Sequence, residues 1–251
     1  NALDSSLKTI LKLLMACGNQ VVSELNHDFV QLILNAARHR NRFVRETAYT
    51  IIQRLSGLLP PERLAQHGTE LAQQLAKGLI DDWSHVSFAA AGATRYFMLA
   101  VIKDEDLKLQ IFPLLLPQMC LLRYSVPDGL RNFSQQTWKM VANNEGPQLV
   151  AKCIQPTLKL YMEMTSGDNS TLRETAANCL GEIFSKIDKD AVEPYFSELY
   201  DCLGSCLTDK SWPVRDAATQ AMGKILAAFP ISDEVREALF RQMLSKLTDS
   251  K

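Results

Sequence analysis

One short pattern returns five times along this chain: Val44-Arg45-Glu46-Thr47-Ala48, Val86-Ser87-Phe88-Ala89-Ala90, Leu130-Arg131-Asn132-Phe133-Ser134, Leu172-Arg173-Glu174-Thr175-Ala176 and Val214-Arg215-Asp216-Ala217-Ala218. The intervals between copies are 42, 44, 42 and 42 residues. Behind each copy the apolar positions continue at helical period, as in Ala176, Leu180, Ile183 and Phe184 against Ala218, Met222, Ile225 and Leu226. In front of each lies a second amphipathic stretch, such as Leu71, Leu75 and Leu79, closed by a polar turn such as Asp81-Asp82-Trp83-Ser84 or Thr208-Asp209-Lys210-Ser211. The repeating unit is therefore a pair of helices, with the pattern opening the second helix of each pair.

A pair of this length cannot bury both of its faces alone, so it must stack on its neighbours. The expected fold is all-α, a right-handed α-α superhelix (α-solenoid) of about 12 helices with a continuous, elongated core. It starts with a helix around Ser5 to Cys17, the second half of a truncated pair. Five complete pairs follow, then a last first-type helix from about Asp233 to Leu247. In residues, a partial repeat 1–25 precedes repeats at about 26–59, 60–102, 103–146, 147–188 and 189–230, with a partial repeat 231–251 closing a single array. The absence of an initial Met and the stop in mid-pattern suggest an excised piece of a longer protein. Pro60, Pro61, Pro127, Pro147, Pro213 and Pro230 fall at helix boundaries. Pro113, Pro117, Pro156 and Pro194 fall in or near first helices and are expected to bend them.

Composition narrows the function classes. Basic residues number 27 and acidic ones 28, giving a net charge of −1, so bulk charge supplies no attraction to nucleic acid or an anionic membrane. No apolar run reaches the roughly 18 residues of a membrane span, since Leu114 to Leu122 is interrupted by Pro117 and Gln118. The six cysteines sit at apolar positions of helical patterns and suit buried free thiols in a reducing compartment, the cytoplasm first and the nucleus second. The sequons at Asn132 and Asn169 are read as chance.

The spacing, the apolar-Arg pair that opens the second helix, the small residue four positions after the apolar one, and an Asp six residues before the Arg (Asp209 and Arg215) resemble HEAT repeats, with armadillo repeats the nearest alternative. The resemblance covers nearly the whole chain and implies a solenoid whose Arg and Asp residues bond neighbouring turns. On that ground Arg131, Arg173 and Arg215 are assigned structural roles. The pattern is incomplete: Ser87 stands in the Arg place of the second repeat, and His39, Ser125 and Gly167 stand in the Asp place of the first, third and fourth.

Catalytic chemistry is hard to find. Asp82, Ser84 and His85 share one turn, but a Ser/His/Asp site needs a base in reach of the nucleophile and a separate carboxylate orienting it, usually from distant parts of the chain. The expected role is a solvated turn with Ser84 capping the next helix. Cys202 and Cys206 lie one turn apart on a helix without histidines at ligand spacing, so both are read as buried thiols and no metal or cofactor is expected. The chain reads as non-enzymatic.

The surface offers more. Arg38, His39, Arg40, Arg42 and Arg45 concentrate positive charge at the first inter-helix turn, and Trp83 and Trp212 occupy equivalent later turns. With Arg123 they form the candidate partner-binding set Arg38, Arg40, Arg42, Trp83, Arg123 and Trp212, suited to an acidic or mixed protein surface. The reading is a protein-binding scaffold using either this turn edge or the concave face lined by second helices. Resemblance to the tubulin-binding domains of microtubule regulators, HEAT arrays that present turns bearing a tryptophan and basic residues, makes tubulin a candidate partner. The residues do not reproduce that family's site one by one, because the basic turn has no tryptophan. A nucleic-acid-binding array would need a basic stripe repeated along a face, and the marked cluster is confined to one turn. No membrane partner is expected.

Overall fold

The computed structural model describes residues 2–228 and, beyond them, residues 233, 234, 237, 240 and 241. All regular structure among the described residues is helical. The expected last helix at 233–247 and the boundary at Pro230 lie outside the described residues for the most part.

The chain divides into two compact units, residues 1–119 with 132–143, and residues 120–131 with 144–251. The first contains α1 (Ala2–Cys17), a 3-10 segment (Gly18–Glu24), α2 (His27–Ala36), α3 (Arg42–Leu58), α4 (Pro61–Leu79), α5 (Ser84–Val101), and most of α6 (Glu105–Leu122) and of α7 (Asp128–Ala142). Its second helices stack in sequence, α1 on α3 and α3 on α5, while α2 packs on α3 and α4 on α5. Val44, Ala48, Ile51 and Ile52 of α3 and Val86, Ala90, Phe97 and Met98 of α5 are fully buried, which is the apolar period of the repeat expressed as a shared core. Gly18 takes a positive φ of 51° where α1 passes into the 3-10 segment, a conformation natural to glycine.

The second unit contains α8 (Gly146–Lys152), α9 (Ile154–Thr165), α10 (Ser170–Lys186), α11 (Lys189–Val192), a 3-10 turn (Glu193–Tyr195), α12 (Phe196–Cys206) and α13 (Trp212–Ala228). α10 packs along α13, α9 on α10 and α12 on α13. Ala176 and Ala218, the equivalent small positions, are both fully buried. Two of the three proline-bearing first helices are broken rather than merely bent. α8 gives way to α9 at Cys153, three residues before Pro156, and the 3-10 turn around Pro194 separates α11 from α12. α6 runs through both Pro113 and Pro117 without interruption.

The Arg–Asp pattern has a definite connectivity. Arg45 donates Nε and Nη2 to the two carboxylate oxygens of Asp81 at 2.8 and 2.9 Å, and Arg173 does the same to Asp209 at 2.7 and 3.0 Å. Each arginine reaches the aspartate of the following repeat, 36 residues on. Arg215 instead uses Nη1 on the carbonyls of Asp209 and Lys210 in its own turn. Arg131, with Gly167 in the following Asp place, bonds the carbonyls of Ser125 and Val126 and the exposed Asp128. Ser87, in the Arg place of the second repeat, donates its hydroxyl to Leu79 O at 2.6 Å.

Candidate partner-binding edge

The site is built on two turns of the first unit. Asn41 caps α3, its Oδ1 accepting from Phe43 N at 2.9 Å. The corresponding cap position of α5 is Trp83, whose side chain cannot accept, so Asp81 Oδ1 takes Trp83 N at 3.0 Å instead. The expected cap by Ser84 is therefore corrected: Ser84 is the first residue inside α5. The same Asp81 carboxylate holds Arg45, whose Nη1 also bonds the carbonyls of His39 and Arg40 at 3.0 and 3.1 Å. One guanidinium and one carboxylate thus fix both turns side by side.

On that base Arg42 lies 3.9 Å from the ring centroid of Trp83 and 4.9 Å from that of Phe43. Trp83 is 49% exposed and Phe43 50%. A guanidinium held over an indole is attracted by the ring quadrupole and keeps its N–H edge for a partner. Among the described residues no carboxylate pairs with Arg42 or Arg40. Arg40, two residues before Arg42 in the chain, is exposed. Phe43 was not among the sequence candidates. Its signal, an aromatic directly after the turn arginine, is short and local.

The other candidates are placed differently. Arg38 donates Nε to Gln74 Oε1 at 2.9 Å, joining a buried network in which Gln74 Nε2 donates to Tyr49 OH (2.8 Å) and Ala37 O (3.2 Å), and Tyr49 OH donates to Gln74 O (3.0 Å). Burial lifts the Tyr49 phenol to about 12, so it stays a neutral donor. Arg123 is corrected as a surface candidate: it belongs to the second unit, and its side chain is mostly buried against Glu182, with Nη1 and Nη2 on the carboxylate at 3.2 and 2.5 Å. Sequence placed it at a helix end and gave no sign of a carboxylate 59 residues away. Trp212 is 66% exposed in the second unit, and no cation covers it among the described residues. The structure thus brings Arg42 and Trp83 together.

Asp82, Ser84 and His85 are all exposed, and no hydrogen bond links them among the described residues. The cysteine pair is divided: Cys206 is buried as expected, but Cys202 is half-buried on a cleft shared with Met162, Thr165 and Asp201. No group of three His, Cys, Asp or Glu side chains able to hold a metal occurs among the described residues, and no described helix is long and apolar enough to cross a membrane.

Comparison with known proteins agrees with this architecture. Residues 170–225 match the HEAT-like repeat family, and residues 19–129 match the family described as IPO5-like, TPR repeats. No curated protein matches the chain. Among solved structures, one from a study of tubulin recruitment and assembly by microtubule polymerases with Tumor Overexpressed Gene (TOG) domain arrays has a TM-score of 0.57 at 15% identity, covering 86% of this chain and 44% of that one. A designed armadillo repeat protein has a TM-score of 0.49 at 14% identity, covering 88% and 92%. The TOG domain of C. elegans Zyg9 has a TM-score of 0.49 at 12% identity, covering 85% and 80%. Its stacked helix pairs, its arginines tied to the aspartate of the next repeat and the HEAT-like match over residues 170–225 make the chain an all-α solenoid of HEAT-like helical pairs.

Proposed function

We propose that the chain is a non-enzymatic protein-binding scaffold and that the turn edge of its first unit takes an acidic protein surface. The observation that carries this reading is Arg42, held 3.9 Å over an exposed indole with no carboxylate partner among the described residues, in a turn that also carries the exposed Arg40. A pre-positioned arginine on an aromatic anchor loses little side-chain entropy on binding, and both residue types dominate interface energetics. Tubulin is a specific candidate for that surface. The support is the likeness of fold to a chain from a study of tubulin recruitment, together with a tryptophan and arginines on adjoining inter-helix turns.

The test is surface-immobilised binding of the purified chain to tubulin dimers and to polyglutamate across a salt series. Arg40→Glu with Arg42→Glu is expected to slow association and to lose its effect at high salt. Trp83→Ala is expected to speed dissociation. If both leave affinity for these probes untouched, or if neither probe binds, the turn edge is not an acid-recognising site.

A further inference from the structure

Two thiols and a thioether line one cleft of the second unit. The cleft, about 430 Å³ in volume, lies between α9 and α12, and its walls include Met162 and Thr165 of α9 and Glu198, Asp201, Cys202 and Cys206 of α12. Cys202 and Cys206 stand one helical turn apart on the same face of α12, and both are free thiols, the first half-buried and the second buried. Met162 and Thr165 share a face of α9 in the same way. Thr165 donates its hydroxyl to Met162 O at 2.7 Å and meets Cys202 Sγ at 3.0 Å, which sets the α9 wall against the cysteine pair. The helix decides what the two thiols can do. Side chains one turn apart have Cβ atoms about 5–6 Å apart, whereas a disulfide needs them about 3.5–4.5 Å apart. An intact α12 therefore keeps the pair as thiols. A thiophilic ion between two sulfurs needs them about 4.6 Å apart, twice a metal–sulfur bond of about 2.3 Å, and the helix offers that separation without unwinding.

We infer that Cys202, Cys206 and Met162 form a binding site for a soft monovalent ion, copper(I), with the two thiolates as its principal ligands and the thioether completing the set. Soft sulfur donors select copper(I), zinc and iron–sulfur clusters. A closed zinc site takes four donors and a cluster takes four thiolates. The cleft supplies two thiols and one thioether, and among the described residues no third His, Cys, Asp or Glu completes a larger group. Copper(I), with a filled d shell, is satisfied by two or three sulfurs. Its binding breaks two S–H bonds, forms two copper–sulfur bonds and releases two protons to solvent, and the copper stays monovalent. Once Cys202 is a thiolate, the Thr165 hydroxyl 3.0 Å away is placed to donate to it. Glu198 and Asp201, exposed at the rim, draw a cation in and repel anions. This site belongs to the second unit and stands or falls independently of the turn edge.

The experiment is an oxygen-free titration of the whole reduced chain into copper(I) bicinchoninate, whose colour is lost as copper leaves it, with a parallel titration against zinc. The chain is expected to withdraw one copper, to release two protons as it does so in weakly buffered solution, and to take up no stoichiometric zinc. Cys202→Ala and Cys206→Ala should each weaken copper binding at least about a hundredfold, and Met162→Leu about tenfold, with unchanged circular dichroism. Cys17→Ala, which removes a half-buried thiol of the first unit, should change nothing. Should Cys206→Ala disturb folding, Cys202→Ala and Met162→Leu, at half-buried positions on the cleft, supply the decisive measurement. Failure to withdraw copper, a preference for zinc, or copper affinity indifferent to Cys202→Ala or to Met162→Leu overturns the inference.

Discussion

Arg173 reaches over from one inter-helix turn and takes both carboxylate oxygens of Asp209 in the next, while its third nitrogen, Nη1, bonds the carbonyls of Gly167 and Asp168 in its own turn at 2.9 Å. Arg173 is 5% exposed. The same construction joins Arg45 to Asp81. A bidentate guanidinium–carboxylate pair with its remaining donors on backbone carbonyls fixes the stagger of successive turns, which apolar packing alone specifies only loosely.

Removing one partner leaves a buried charge uncompensated, so Asp209→Ala is expected to destabilise the chain by about 3–5 kcal/mol. It also removes the acceptor of Ser211 N at 2.7 Å. Replacing both Arg173 and Asp209 by apolar residues of similar size should recover most of the loss. The Arg173 hydrogen bonds hold the Asp209 carboxyl below its usual range. Its contribution is complete above about pH 4 and fades as pH falls through the lowered value. Urea denaturation of the single and double variants checks both statements, and a single variant as stable as the parent would contradict them.

Gly78 faces the Tyr49 ring so closely that an added Cβ would stand 2.3 Å from Cζ and 2.5 Å from the hydroxyl oxygen. Gly78→Ala must therefore push Tyr49 away from Gln74 and is expected to cost about 1–3 kcal/mol. Gly223, in α13, has nothing within 4 Å of the same point. Gly223→Ala should instead stabilise by up to about 1 kcal/mol through helix propensity. Thermal midpoints of the two variants should move in opposite directions.

His67 of α4 stacks on His27 at the start of α2, ring centroids 5.3 Å apart, in a cleft that also holds Arg63, Gln66 and Glu70. Burial and then the charge of His27 hold the His67 imidazole below its usual value, with Glu70 acting in the opposite sense. Because the unfolded chain takes up this proton first, stability is unaffected above about pH 6.5 and declines as pH falls toward the lowered value, by at most about 1.4 kcal/mol per pH unit. Between pH 7.5 and 5.5 the denaturation midpoint of His67→Gln should fall less than that of the parent. Parallel slopes would show that the stacked pair is not the source.

Cys202 has the Cys206 thiol as a hydrogen-bonding neighbour and Thr165 Oγ1 at 3.0 Å. These contacts outweigh burial and bring its thiol down to about 7. Burial lifts Cys120 to about 12 and Cys179 well upward. Iodoacetamide at neutral pH should therefore modify Cys202 well before Cys206, Cys120 or Cys179, which wait for unfolding. Peptide mapping after brief labelling decides this, and modification of Cys120 at an equal rate would refute it.

The sequence by itself determined the helix pairs, their 42-residue register and the small buried positions Ala176 and Ala218, because each rests on apolar periodicity and turn residues that act over a few neighbouring positions. It also pointed to Arg40, Arg42 and Trp83 as a basic and aromatic edge, since inter-helix turns of successive pairs come together in any such stack. Only the tertiary structure decided what each charged side chain does with its reach. Asp209 stands six residues before Arg215, yet its carboxylate is taken by Arg173 of the preceding repeat, while Arg215 reaches only the carbonyls of Asp209 and Lys210. Arg123 is a turn arginine in sequence and a buried partner of Glu182 in the fold, and Arg42 covers Trp83 rather than standing free. A long side chain samples many directions, and which one is occupied depends on the acceptor or ring that packing brings within a few ångströms, a distance that no local pattern encodes.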